Sequence, residues 1–222
     1  MKEGDFVEID FTGRVKDTDE VFDTTSEEMA KLAGVYNEKT NYGPIPIIIG
    51  ASQVIPGLEE AIKEMNIGDK KKVEMAPEKA FGEKNPELVK LLPMSAFKEN
   101  RLEPSPGRVV NFNGLQGRIL TVDGGRIKVD FNHPLAGKTI EYEVELKNEI
   151  KENNQKIKSV IRYFTGIKYE DTGVMLNGDE TTINIQKFDF PKQLKQNIAD
   201  TIMKWVDGIS RINFVDTFEK KN

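Results

Sequence analysis

Side chains that commonly act as nucleophiles or metal ligands are scarce in this sequence of 222 residues. It contains no cysteine and one histidine, His133, within FNHPLAGK. The lack of cysteine excludes disulfides, thiolate chemistry and cysteine zinc sites, and a Ser-His-Asp triad would have to use His133. Because His133 lies between a predicted strand and a Pro/Gly turn, we expect it to be a polar turn residue. The sequence therefore predicts neither a metal site nor a cofactor.

Acidic residues and glycines form no recognisable catalytic or phosphate-binding pattern. No carboxylate pair stands at helical spacing in an apolar context, so these side chains are expected on a solvated surface. Neither the P-loop nor the Rossmann glycine pattern is present. The net charge of −5 makes nucleic acid an unexpected partner, and no apolar run approaches the length of a membrane span. We expect a soluble cytoplasmic protein without a membrane partner.

The remaining candidates for a site are aromatic and aliphatic side chains spread along the chain. They are Phe11, Phe22, Val54, Ile55, Leu58, Phe81 and Tyr142. A plain hydrophobic core would produce the same set. Alternatively, Val54, Ile55 and Leu58 surround the start of a predicted helix, where they could form the floor of a shallow pocket.

The elements that would position these residues are organised around residues 47–68. The β-branched run 47–49 predicts a buried strand. Pro56 is predicted to begin a helix, since the first helical residue needs no intrahelical partner for its N–H. The apolar face of this helix is formed by Leu58, Ile62 and Met65. Gly68 is predicted to end it.

Further strands are predicted on both sides of this central stretch. They cover residues 5–15, 20–23, 70–76 and 138–146, and a short helix is predicted from Ser26 to Gly34. In the first of these strands Val7, Ile9 and Phe11 alternate on one face, whereas Phe6 departs from the alternation. Gly13 allows a bulge or a bend.

A small β-rich module is predicted where the composition changes near residue 85. Residues 86–97 are predicted to contain a short turn of helix. Three strand candidates then follow at 109–113, 117–122 and 126–131. They are separated by Asn113-Gly114 and by Asp123-Gly124-Gly125, which are strong hairpin signals because these residues tolerate positive φ.

The last 70 or so residues are predicted to mix helices and strands. Helices are expected at about 153–165 and 191–208, two strands around Asn177-Gly178, and a final strand over 211–219. Pro191 is predicted to begin the second helix and Gly208 to end it. The apolar stripe that includes Trp205 fits either a core or a dimer face, and the sequence does not separate the two.

Five separated motifs resemble, in order and spacing, the FKBP family of peptidyl-prolyl isomerases. They are DFTG (10–13), VFDTT (21–25), IIIGASQVIPGLEEAIKEMNIGDKK (47–71), PEKAFGE (77–83) and IEYEVEL (140–146). The module after AFG resembles the insert-in-flap chaperone domain of the SlyD-like subgroup. The C-terminal 70 residues lie outside this shared pattern, and such extensions occur in longer archaeal members of the group. The resemblance covers about residues 4–84 and 132–148.

The resemblance implies an α+β fold, with an FKBP-type antiparallel sheet wrapped on one short helix. It also implies an inserted small β-rich domain and a C-terminal α+β domain. The expected boundaries are 1–86 and 131–150 for a discontinuous isomerase domain, 87–130 for the insert and 151–222 for the C-terminal domain.

The resemblance also assigns the site residue by residue. The catalytic set would be Phe11, Asp23, Ile55, Phe81 and Tyr142, and the substrate-binding set Phe22, Ile45, Val54 and Leu58. Phe11 and Phe81 stand where tyrosine is common in the family, and Leu58 replaces a common tryptophan. For Asp23, a purely structural role as a turn carboxylate stays open.

The implied function is prolyl isomerisation combined with binding of unfolded or proline-containing polypeptides. Candidate chain-binding residues of the insert are Leu91, Leu92, Met94 and Phe97, although they could instead form the module's own core. Two alternatives stay open: a chaperone whose isomerase pocket has decayed, and a scaffold that uses the C-terminal domain for a dedicated partner. A homodimer through the C-terminal domain also stays open as an alternative.

Overall fold

The computed structural model describes residues 1–112, 114–185 and 190–216 and divides into two compact units. We call Met1–Met75 with Ile140–Asn222 the first unit, and Ala76–Thr139 the inserted unit. The strands are β1 (Phe6–Val15), β2 (Glu20–Thr24), β3 (Ile45–Ile48), β4 (Lys70–Met75), β5 (Val89–Pro93), β6 (Val109–Phe112), β7 (Leu115–Asp123), β8 (Arg126–Asp130), β9 (Ile140–Ile150), β10 (Thr172–Asn177), β11 (Glu180–Ile185) and β12 (Arg211–Val215). The helices are α1 (Glu27–Ala33), α2 (Pro56–Lys63), α3 (Met94–Glu99), α4 (Asn153–Thr165) and α5 (Lys192–Trp205). The predicted α+β class is confirmed.

An antiparallel sheet of five strands forms the first part of the first unit. Its order is β2-β1-β9-β4, and β3 pairs with one part of β1. One face is apolar because alternate residues of the strands are buried, among them Ile9, Val144 and Leu146. Helix α2 buries Leu58 and Ile62, so the predicted strand-then-helix arrangement around residues 47–68 is confirmed.

The end of α2 differs from the prediction. Pro56 begins the helix as expected, but the helix ends at Lys63, and the N–H groups of Glu64 and Met65 donate to carbonyls only three residues back. Such bonds tighten and close a last turn. Gly68 has a φ of 90°, and its N–H donates to the Leu146 carbonyl over 2.7 Å. It therefore lies in the loop that connects α2 to β4 and does not end the helix.

The C-terminal part of the first unit contains α4, α5 and a three-stranded sheet in the order β10-β11-β12. One buried cluster joins its helices and strands to Phe6 and Ile48 of the first sheet; its other members are Ile157, Val160, Ile161, Ile167, Ile183, Ile185, Ile198, Ile202, Val206 and Ile209. Phe6 departs from the alternation of β1 because its side chain belongs to this second core. Trp205 packs against the same cluster.

The helices predicted in the C-terminal part are present, with two corrections. Helix α4 covers the predicted residues 153–165. Helix α5 follows Pro191 as expected but ends at Trp205, three residues before Gly208. The final strand ends at Val215, and the predicted residues 217–219 lie outside the described residues.

The inserted unit is an antiparallel sheet in the order β5-β8-β7-β6 with the short helix α3. Phe97 of α3 is fully buried with Val110, Ile119, Ile127 and Val129. The three predicted strands are confirmed, whereas the first half of the predicted helical turn at 86–97 is strand β5. Pro93 disfavours helical backbone in the residue before it. Pairing with β8 provides hydrogen-bond partners for the backbone of β5. Asn113, in a predicted turn, lies outside the described residues.

Candidate active site

Three neighbouring strands bring Asp23, Gly13 and Tyr142 side by side in the first unit. Gly13 lies opposite Asp23 on β2 and opposite Tyr142 on β9. A register shift follows Gly13 in the pairing with β2. The bend predicted at this glycine therefore coincides with the centre of the site.

Two further aromatic rings surround Tyr142. The ring centroids of Phe11 and Tyr142 are 5.4 Å apart at an interplanar angle of 58°, and those of Phe22 and Tyr142 are 5.8 Å apart at 82°. These are the tilted and edge-to-face geometries that aromatic pairs prefer. The structure thus brings together three of the aromatic residues predicted for the site, which we call the aromatic cluster (Phe11, Phe22 and Tyr142).

Gly13 permits this cluster to form. A Cβ atom at position 13 would lie 2.7 Å from Cζ of Phe22 and 3.0 Å from Cε1 of Tyr142. Carbon atoms that are not bonded to each other do not approach so closely, since their contacts are optimal at about 3.5–4.0 Å. A residue with a Cβ atom at position 13 would therefore collide with both rings. The requirement for glycine at this position escaped sequence reasoning, although the motif DFTG contains it.

The charge next to the cluster comes from Asp23. Desolvation by its surroundings raises the pKa of the Asp23 carboxyl, and a hydrogen bond from the Thr24 backbone acts in the opposite direction. Burial, aided by the negative charge of Asp23, raises the pKa of the Tyr142 phenol. Tyr142 is therefore a neutral hydroxyl at physiological pH, and the Asp23 carboxyl next to it is partly desolvated.

Buried threonines hold the end of β2 against β1, and sequence reasoning missed them. Thr24 and Thr25 are each 6% exposed. The hydroxyl of Thr25 accepts the Phe11 N–H over 2.9 Å and donates to the Asp10 carboxylate over 2.9 Å. The two residues after Asp23 in VFDTT thus fix the strand that carries Phe11.

The start of α2 presents an unpaired backbone donor. Ile55 precedes the helix in extended conformation, with φ −62° and ψ 148°. Its carbonyl accepts the N–H groups of Leu58 and Glu59, whereas its own N–H donates to no acceptor within the described residues. Val54 and Ile55 are half-buried and Leu58 is 2% exposed, so Leu58 can contribute only to a floor. Ile45 begins β3, opposite Ile9.

Phe81, the remaining aromatic residue predicted for the site, belongs to the inserted unit. Its ring stacks on His133 at a centroid distance of 4.8 Å and an interplanar angle of 5°. Nδ1 of His133 accepts the N–H of Leu135, and its carbonyl accepts the N–H of Ala136. These bonds agree with the expected role of His133 in a turn.

The candidate chain-binding residues of the insert divide by exposure. Leu91 is 56% exposed, whereas Leu92 and Met94 are partly buried against the core of the inserted unit. Phe97 has no exposed surface. Phe97 therefore forms part of the module's own core, as the alternative prediction stated. We remove it from the chain-binding set because a fully buried ring cannot contact a client.

The site has the chemistry of noncovalent binding. It offers aromatic and aliphatic surface, the Asp23 carboxyl and the Ile55 N–H, which has no acceptor among the described residues. Across residues 1–112, 114–185 and 190–216, no group of three or more His, Cys, Asp or Glu side chains is arranged to hold a metal ion. The helices described over the same residues include none long and apolar enough to cross a membrane. Such a site offers contact surface for an apolar group and a backbone donor for a carbonyl oxygen.

The sequence is similar to those of several known proteins. Residues 90–135 match the family described as the IF domain of FKBP26. A short-type peptidyl-prolyl cis-trans isomerase of Methanocaldococcus jannaschii is 33% identical over 148 residues, which cover 67% of this chain and 93% of that protein. A probable FKBP-type 16 kDa peptidyl-prolyl cis-trans isomerase of Pseudomonas fluorescens is 37% identical over 108 residues, covering 46% of this chain and 71% of that protein. The FKBP-type isomerase SlyD of Helicobacter pylori is 34% identical over 102 residues, covering 45% of this chain and 55% of that protein.

The chain belongs to the FKBP-type peptidyl-prolyl cis-trans isomerases. The resemblance inferred from the five sequence motifs is thereby confirmed, as is the enzyme class.

Proposed function

We propose that the aromatic cluster, with Ile45, Val54 and Ile55 at its sides and Leu58 as its floor, binds the X–Pro bond and stabilises its twisted form. This proposal is supported mainly by the packing of the three rings of the aromatic cluster around Gly13. The same unit contains the Ile55 N–H, which has no acceptor among the described residues.

Isomerisation at such a site needs no cofactor. Rotation about a peptide bond meets a barrier of about 18–20 kcal/mol because the twisted state loses amide resonance. The two planar X–Pro forms are close in energy, so an enzyme accelerates their exchange by binding the twisted amide better than either of them. Each 1.4 kcal/mol of this preference gives about a tenfold gain in rate.

The residues of the pocket supply this preference in two ways. The planar amide is the more polar species, so an apolar pocket that excludes water disfavours it relative to the twisted amide. The free N–H of Ile55 donates to the substrate carbonyl. Asp23 orients or polarises the bound peptide and transfers no proton.

We propose a separate task for the inserted unit, namely the binding of unfolded chains. Leu91 supports this role because its large apolar side chain is 56% exposed on β5. Strand β5 is also an edge of the sheet, and an edge strand can pair with an extended segment. Leu92 and Met94 lie partly buried next to it and would border the same surface.

Removal of the insert tests this division of labour. Val89 and Asp130 are Cα partners, and the Phe131 N–H donates to the Leu88 carbonyl over 3.0 Å, so an Asn-Gly turn can replace residues 89–130. We expect turnover of a short X–Pro peptide, measured without a coupling protease, to persist. Catalysis of a proline-limited refolding reaction should fall strongly. Equal loss of both activities would contradict the proposal.

A pair of leucine variants provides a milder test. Leu91→Ser removes an exposed apolar side chain from the inserted unit, and Leu32→Ser removes one that is 76% exposed on α1 of the first unit. We expect only Leu91→Ser to weaken the suppression of aggregation of a denatured client. Equal effects of the two substitutions would show that Leu91 has no special role.

A further inference from the structure

A small cavity lies on the outer face of the inserted unit's sheet. Its volume is about 210 Å³, and its lining includes Val109, Arg118, Leu120 and Lys138. Val109, Arg118 and Leu120 are exposed because they alternate along β6 and β7 with the buried Val110 and Ile119, which belong to the same core as Phe97 of α3. The cavity is thus distinct from the core of the unit and open to solvent.

The size of the cavity and the two exposed aliphatic side chains in its lining suit an apolar side chain of a polypeptide. Val109 is 53% exposed and Leu120 is 38% exposed. Pockets for small molecules usually have volumes of about 300–1,000 Å³, so this cavity accommodates a smaller apolar group. An extended segment that places one apolar side chain here would continue past the rim of the cavity.

The charges at the rim are mainly positive. Lys84 pairs with Asp130 at 3.5 Å, and Asp130 also accepts the Asn132 N–H. Arg118 and Lys138 form no ion pair within the described part of the inserted unit. Arg118 and Lys138 are therefore two cations beside exposed apolar surface that have no ion-pair partner among the described residues of the inserted unit.

The distribution of charge along the sequence agrees with this local excess. The inserted unit contains ten Lys and Arg and seven Asp and Glu residues, a net charge of +3. The rest of the chain carries a net charge of −8, so the whole chain has a net charge of −5. A cationic surface on an acidic protein attracts anionic partners in preference to cationic ones.

We propose that this cavity selects unfolded segments in which an apolar side chain is flanked by carboxylates. The inference rests on the proposed binding of unfolded chains by the inserted unit and names the class of segment bound. The apolar side chain enters between Val109 and Leu120, and the flanking carboxylates pair with Arg118 and Lys138.

Two labelled peptides without proline test the proposal on the intact protein. They share one central leucine-rich core and differ only in flanking residues, which are Glu in one peptide and Lys in the other. Fluorescence anisotropy at 0.15 M salt should give at least about fivefold tighter binding of the Glu-flanked peptide. This preference should shrink at 0.5 M salt because screening weakens exposed charge pairs.

Matched charge removals identify the surface. The double variant Arg118→Gln/Lys138→Gln should lose the preference for the Glu-flanked peptide, whereas Lys98→Gln/Arg101→Gln, which removes the same charge at α3, should keep it. Equal binding of both peptides by the wild type, or equal effects of the two variants, would overturn the selectivity but leave chain binding intact. Failure of both peptides to bind would overturn the selectivity together with the proposed chain binding.

Discussion

Replacing Gly13 with alanine adds one methyl group at the centre of the aromatic cluster. The new Cβ would lie 2.7 Å from Cζ of Phe22 and 3.0 Å from Cε1 of Tyr142. Because carbon contacts are optimal at about 3.5–4.0 Å, the Phe22 ring has to retreat by about 0.8 Å or more. Neither ring can move without changing its contact with the other, since their centroids are 5.8 Å apart.

The size of the effect follows from this displacement. Overpacking by a methyl group costs about 1–3 kcal/mol of folding stability. A misplacement of about 1 Å in a site that positions a substrate can lower the rate about 100-fold. We therefore expect Gly13→Ala to fold, with reduced stability, and to lose about 10- to 100-fold in kcat/KM on a short X–Pro peptide.

A protease-free peptide assay, with unfolding by urea on the same samples, measures both quantities. Gly117→Ala is the control, because its Cβ would lie 2.6 Å from Cγ1 of Val129 in the inserted unit. We expect Gly117→Ala to lower stability but to preserve peptide turnover. Wild-type turnover by a folded Gly13→Ala protein would refute the assignment of the cluster as the active site.

Three further substitutions test other parts of the account. Desolvation by neighbouring groups raises the pKa of the Asp23 carboxyl above its unfolded value, so ionisation of Asp23 lowers folding stability. We therefore expect Asp23→Asn to raise the free energy of unfolding at pH values above the raised pKa. Urea titrations should show this gain shrinking as the pH falls through that pKa. Thr25→Val removes the acceptor of the Phe11 N–H and should cost about 1–3 kcal/mol in the same assay, with an unchanged midpoint counting against the threonine's role. Phe6→Ala, at a residue 1% exposed, should cost about 3–5 kcal/mol and lower the melting temperature; a negligible shift would mean that the first sheet and the C-terminal part do not share a core.

Local patterns predicted the elements wherever a side-chain period or a backbone constraint decides the structure. Pro56 begins α2 because its missing N–H costs nothing there, and glycines end the turns of the inserted sheet. The end of α2 could not be predicted, because Gly68 meets a carbonyl of the distant Leu146. Strand β5 could not be predicted for a similar reason, because it pairs with β8, which is distant in sequence: Val89 is the partner of Asp130.

The candidate site was predicted in composition but not in geometry. Hydrophobic residues of a site and of a core look alike in sequence, so only the fold separates Phe97, which is fully buried, from Leu91, which is exposed. Gly13 has no side chain by which to be recognised as a site residue. Its role depends on two rings that arrive from other strands.

The most direct test of the central claim is an NMR titration of the intact ¹⁵N-labelled protein with a short X–Pro peptide. Exchange spectroscopy reports the catalysed cis–trans interconversion, and amide shifts report where the peptide binds. We predict that the amides of Gly13, Asp23 and Ile55 shift and saturate at the same peptide concentration as the catalysed exchange. Catalysed exchange accompanied by shifts elsewhere, with these three amides unmoved, would contradict the assignment of prolyl isomerisation to the aromatic cluster.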